Sequence, residues 1–148
     1  MSFAWTLQPG PVITLTPVDG SYPFAKRYIS LLRRVTLGEG FACPDRKANV
    51  NNGWFDSRHV GEGCNSLALS DKHAELWLEN GMVYVRDLGS ETGTYVNGVK
   101  IGEPVPLQTG DIVSLGTKLV RNAKMPAAIV EEQLLNISAK VSIVGIPH

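Results

Sequence analysis

An all-β fold, a two-sheet β-sandwich, is predicted by three observations. Short alternating apolar runs are punctuated by glycine and proline, 15 and 9 of them among 148 residues. Two Asn-Gly pairs, Asn80-Gly81 and Asn97-Gly98, each lie between two such runs, and this dipeptide accepts the positive φ angles of a two-residue hairpin turn. Helical periodicity is confined to "PAAIVEEQLL" (Pro126–Leu135), enough for one short helix.

The elements follow in chain order. "VITLTP" (Val12–Pro17) alternates as a strand, and "RYISLL" leads after a break into "RVTLG" (Arg34–Gly38). From Gly38 to Leu67 the chain runs about thirty residues with little periodicity. A loop of that length inside a compact domain is functional or mobile, so this segment is expected to be the least ordered. Within it, Trp54 and Phe55 read as packing residues that anchor it to the core. "HAELWLENGMVYVRDL" is the clearest unit, two alternating strands around Asn80-Gly81. "TYVNGVKI" forms a second hairpin, and "DIVSLG" (Asp111–Gly116) and "ISAKVSIVGI" (Ile137–Ile146) close the set. Together they predict one domain over residues 1–148 with a core of about 24–144.

Fourteen basic residues balance fourteen acidic ones, so no global field draws in nucleic acid or an anionic membrane. Basic residues are scattered without interleaved aromatics, and no nucleic-acid partner is expected. No apolar run approaches the ~20 residues of a membrane span, and "MSFAWTLQPG" is unlike a signal peptide. Membrane contact by the domain is therefore not expected, and the expected compartment is cytoplasmic or nuclear. Cys43 and Cys64 are too few for a disulfide framework or a zinc site, and His59, His73 and His148 lack metal-ligand spacing. "LGEG" and "VGEG" lack the Gly-Lys-Ser/Thr that would make them nucleotide loops. Neither a cofactor nor a metal is expected.

The stretch "LSDKH" (Leu69–His73) places a hydroxyl, a carboxylate and an imidazole within four residues. A hydrolytic relay needs the imidazole within hydrogen-bond reach of the serine oxygen. In extended chain Ser70 and His73 point to opposite faces, which disfavours it. A serine hydrolase using this pair is the least supported alternative, and no catalytic residue is assigned.

Read onward, "LSDKHAELWLENGMVYVRDLGSETGTYVNGVKI" resembles the forkhead-associated domain, a β-sandwich of the SMAD/FHA type that recognises phosphothreonine peptides. Ser70-Asp71-Lys72-His73 matches the family's Ser-x-x-His, and Asp87, Ser90, Gly93, Thr94, Asn97 and Gly98 match most of the later pattern. The long loop is then an insertion. "NNGWFDSR" ahead of Ser70 further resembles a branch containing fungal vacuolar-targeting and pheromone-arrest proteins and the animal sarcolemmal membrane-associated protein. Members of that branch are scaffolds in complexes of striatin with a phosphatase and kinases. The resemblance implies a non-enzymatic module with a protein or peptide partner. In it, Ser70 meets phosphate, His73 braces the loop, and Gly93, Asn97 and Gly98 are structural.

The expected phosphate positions depart from the family. Glu39 stands where an arginine should follow Gly38, and Thr92 replaces the asparagine that holds the peptide backbone. Asp71 and Glu91 replace residues that are neutral or basic, leaving Ser70 and Lys72 as the donors. A phosphothreonine carries about −1.5 to −2 charges. Each like-charge contact at ~5 Å costs about 3 kcal/mol at an effective dielectric near 20, before screening. A micromolar peptide complex amounts to only about 8 kcal/mol. Loss of phosphothreonine recognition is therefore expected. The alternative keeps it through a relocated arginine from Arg33, Arg34, Arg46 or Arg58.

Overall fold

The computed structural model describes residues 10–39, 48–55 and 66–146. It is a sandwich of two antiparallel sheets. The strands are β1 (Val12–Pro17), β2 (Arg27–Ser30), β3 (Val35–Leu37), β4 (Ala74–Glu79), β5 (Met82–Asp87), β6 (Thr94–Val96), β7 (Val99–Lys100), β8 (Val105–Leu107), β9 (Ile112–Leu115) and β10 (Ile137–Val144). One sheet has six strands in the order β2-β1-β10-β9-β6-β7, and the other has four in the order β3-β4-β5-β8.

Both Asn-Gly pairs make the expected turns. Asn80 and Gly81 have φ of 52° and 78°, and Asn97 and Gly98 have 51° and 83°. The second turn is also tied to β9. The Ile112 amide donates to Asn97 Oδ1 (2.9 Å), and Asn97 Nδ2 donates to Asp111 Oδ1 (3.0 Å). The first turn sets a register in which Leu76 faces Val85 and Trp77 faces Tyr84. Alternate residues then divide between the faces: Ala74, Leu76, Val83 and Val85 are buried, while Glu79, Met82 and Arg86 are exposed. Opposite them Ile13, Leu15, Ile29, Val113, Leu115, Ile137, Ala139 and Val141 close the core from the six-stranded sheet.

Three features differ from the sequence reading. The core begins before residue 24, because Ile13 and Leu15 on β1 are fully buried and β1 pairs with both β2 and β10. Strand β8 is an addition. Pro104 just before it and Pro106 within it break any apolar alternation, and Pro106 is tolerated because β8 is an edge strand. The helical stretch contracts to one 3-10 turn over Glu131–Leu134, with Leu134 buried.

The described part of the long loop is firmly held. Gly38 and Trp54 form a parallel bridge, the Gly38 amide donates to the Gly53 carbonyl (3.0 Å), and the Tyr28 amide donates to the Val50 carbonyl (2.7 Å). Residues 48–55 thus cover the edges of β2 and β3, which would otherwise be open to pairing. Phe55 is buried as expected, edge-on to Phe24 at 5.1 Å and beneath the Arg27 guanidinium at 4.8 Å. Residues 40–47 and 56–65, with Cys43, Arg46, Arg58, His59 and Cys64, lie outside the described residues, and so does His148. No helix among the described residues is long and apolar enough to cross a membrane.

Antiparallel pairing brings the end of β3, the start of β4, the end of β5 and the start of β6 to one end of the sandwich. The loops there form the apex.

Candidate functional site

His73 sits at the centre of the apex and is fully buried. The Ser70 amide donates to His73 Nδ1 (3.1 Å), so Nδ1 carries no proton. The other ring nitrogen, Nε2, lies 2.7 Å from the Gly93 carbonyl and must therefore be the N–H that donates to it. The ring is a neutral bridge between two loops. Burial is the largest influence and pushes its pKa below the ordinary 6.5, outweighing the Gly93 hydrogen bond and the Asp87 charge. Its backbone adds two ties: its amide donates to Leu37 (2.8 Å), and its carbonyl accepts from Leu88 (2.9 Å).

This geometry excludes His73 as a base for Ser70. Ser70 Oγ is bonded to the Glu91 amide, which donates to it at 3.1 Å, and both imidazole nitrogens are engaged by backbone. His73 instead ties the Ser70 loop to the Gly93 loop.

A second network shapes the β5–β6 loop. Asp87 Oδ2 accepts from the amides of Gly89 (2.9 Å) and Ser90 (3.0 Å), while Oδ1 accepts from Ser90 Oγ (2.5 Å) and Thr94 Oγ1 (2.7 Å). Ser90 Oγ in turn accepts from the Gly93 amide (2.9 Å). Burial by itself raises the Asp87 carboxyl, but these donors overcome it and hold the pKa below 3.8. The network's contribution to stability is therefore complete above pH 3.8 and is lost as pH falls through the lowered native value. Asp87→Asn replaces one acceptor oxygen with an NH2 and removes the charge that strengthens all four bonds. It is expected to destabilise the domain by about 1–2 kcal/mol in urea titrations at pH 7.

Glu39 and Glu91 both meet Ser70 through their backbone amides. The Glu39 amide donates to the Ser70 carbonyl (3.0 Å), and Glu91 supplies the amide at Ser70 Oγ. Asp71 is the next residue, and its carbonyl lies 2.1 Å from where a Cβ on Gly38 would stand. Lys72 and Glu91 are exposed. Thr92 is turned inward. Its Oγ1 donates to the Ala68 carbonyl (2.6 Å), an engagement not apparent in the sequence because Ala68 lies 24 residues away. Gly93 joins the two networks, its carbonyl also accepting from the Gly116 amide (2.7 Å).

Of the four arginines considered as replacements, Arg34 is held elsewhere and Arg33 lies beside it. Arg34 precedes β3, roughly 16 Å of extended chain from Glu39. It pairs with Glu75 Oε1 (3.0 Å) and lies over Trp77. Arg33 is exposed beside it, next to Trp77 and Glu79. Arg46 and Arg58 lie outside the described residues.

Residues 58–116 match the family model of the FHA domain. An uncharacterized protein of Schizosaccharomyces pombe is 33% identical over 141 residues, 90% of this chain and 41% of that protein. Vacuolar protein sorting-associated protein 64 of Saccharomyces cerevisiae is 39% identical over 103 residues, 66% of this chain and 16% of that protein. The chain thus spans less than half the length of either relative. Among solved structures, full-length yeast Pml1p superposes with a TM-score of 0.56 at 17% identity, covering 90% of this chain and 83% of its own. The FHA domain of an Arabidopsis thaliana protein gives 0.56 at 20% identity, covering 95% and 92%. An engineered FHA domain solved with a Myc-pTBD peptide gives 0.55 at 18% identity, covering 90% and 91%. These structures share the fold.

Proposed function

The chain belongs to the forkhead-associated domain family, and on that premise we propose that it is a non-enzymatic protein-interaction module whose apex does not read phosphothreonine. The observation that carries this reading is the setting of Ser70. Its carbonyl and hydroxyl oxygens accept from the amides of Glu39 and Glu91, and Asp71 follows it directly. Three carboxylate-bearing residues are therefore backbone neighbours of the serine that would meet a dianion, and among the described residues adjoining it in this loop Lys72 is the cationic one. The bound peptide of the engineered FHA domain supports the partner class, a protein segment.

A second reading has its own support. The brace formed by His73, Asp87, Ser90 and Thr94 is intact, and it holds the Ser70 hydroxyl beside the Glu91 amide. A cation reaching this point from outside the described residues would restore a phosphate site.

Titration with a degenerate phosphothreonine peptide library and its unphosphorylated counterpart separates the two. No phosphate-dependent binding is expected, and micromolar phosphate-dependent binding by the unaltered protein would establish the second reading. Glu39→Arg is expected to produce phosphate-dependent binding, because it removes a repulsion and supplies charge-assisted donors. Thr92→Asn is the less clean companion, since it also breaks the bond to Ala68 at a cost of about 1 kcal/mol.

A further inference from the structure

We propose that the outer face of the four-stranded sheet, centred on Trp77 between Arg34 and Arg86, docks an acidic segment of a partner protein carrying one large aliphatic side chain. This inference rests on reading the domain as an interaction module, but not on the state of the apex. Glu75, Trp77 and Glu79 alternate outward along β4, and Arg86 and Tyr84 stand opposite Glu75 and Trp77 on β5. Glu75 Oε1 accepts from Arg34 Nη1 (3.0 Å) and from Arg86 Nε (2.9 Å). The two guanidinium groups approach the Trp77 ring to 4.6 and 5.9 Å, and Tyr84 stacks on it at 5.7 Å.

Two arginines thus share one carboxylate. Their side chains remain 57% and 47% exposed, and each guanidinium has five N–H groups, most of them facing no described acceptor. With Arg33 and Glu79 included, the face carries three cations against two anions. Both guanidinium groups are already held in place by Glu75 and Trp77, so a carboxylate meets fixed, paired donors and little side-chain freedom is lost on binding. Beside them lies a groove of about 280 Å3 lined by Leu31, Leu32, Arg33, Arg34, Trp77 and Leu78, with Glu79 at its edge. Leu32 is 72% exposed there. The groove suits one aliphatic side chain, and the arginines beside it suit flanking carboxylates. A carboxylate is the partner both guanidinium groups already bind in Glu75, and phosphothreonine is the competing ligand that the titration discriminates.

The probe is the peptide acetyl-Asp-Glu-Leu-Asp-Glu-amide, titrated into the full chain labelled with nitrogen-15, with the Asn/Gln counterpart as control. The expected shifts centre on the Trp77 indole N–H, the side chains of Arg34 and Arg86, and the Leu32 amide. Arg34→Ala with Arg86→Ala is expected to weaken binding about tenfold, with retained folding checked by circular dichroism. Glu79→Gln tests charge without disturbing geometry, because its amide oxygen can still accept from the Trp77 indole, which now donates to Glu79 at 3.0 Å. It is expected to tighten binding about threefold. The inference is overturned by shifts confined to the Ser70–Gly93 loops, by equal binding of the neutral control, or by a phosphothreonine peptide that moves the same resonances more strongly. Phosphothreonine binding at the apex alone would defeat the reading of the apex and leave this one standing.

Discussion

Gly38→Ala is expected to lower stability by about 3 kcal/mol, or roughly 6–12 °C in Tm for a domain of this size. A Cβ at this position would stand 2.1 Å from the Asp71 carbonyl oxygen and 3.1 Å from the Lys72 Cα. Both are backbone atoms of the loop that carries Ser70, so no flexible side chain can give way. Gly38 is also held on its other side, where its amide donates to Gly53 and its carbonyl accepts from Phe55, both at 3.0 Å. The added methyl must therefore displace either residues 53–55 or the Ser70–Lys72 turn. Thermal unfolding followed by circular dichroism measures the loss, and an unchanged Tm would mean that the contact between these loops is slack. The substitution is also expected to loosen the apex, read as faster amide exchange at Ser70 and Glu91.

His73→Ala is expected to cost about 3–4 kcal/mol. It leaves the Ser70 amide and part of the Gly93 carbonyl's demand unmet, and opens a cavity where a fully buried ring stood. The same residue sets a pH dependence. In the unfolded chain the imidazole titrates near 6.5, and in the folded protein its pKa is lower. Above pH 6.5 both states are neutral and stability is at its full value. As pH falls below 6.5 the unfolded chain takes up the proton first, so stability declines until the lowered native pKa is passed, at up to about 1.4 kcal/mol per pH unit. Urea unfolding between pH 7.5 and 5 reads this decline, and it should be much smaller in His73→Gln. Protonation also removes the acceptor at Nδ1, so the Ser70 amide is the first contact expected to loosen in acid. A stability that rose as pH fell through 6.5 would contradict the neutral bridge.

Local chemistry makes much of this protein legible in its sequence. The Asn80-Gly81 and Asn97-Gly98 turns need only positive φ at adjacent residues, and the alternation from Ala74 to Asp87 needs only one buried face. The roles expected of Ser70 and His73 came with the family resemblance, and the bond from the Ser70 amide to the imidazole is visible only in the structure. What required tertiary structure were contacts between residues distant in sequence. Pairing of β1 with β10 joins Val12 to Val144, and nothing in "VITLTP" itself distinguishes a central strand from an edge. Strand β8 escaped notice because Pro106 suppresses the alternation, and only its edge position explains why that proline is tolerated. Thr92 was legible as a substitution but not as a donor to Ala68, nor was Arg34 legible as the partner of Glu75 and Trp77 instead of a cation for the apex. Turn chemistry acts over two to four residues and is written where it acts. Register and the choice of ion-pair partner depend on which strands come together, and the packing of both sheets decides that at once.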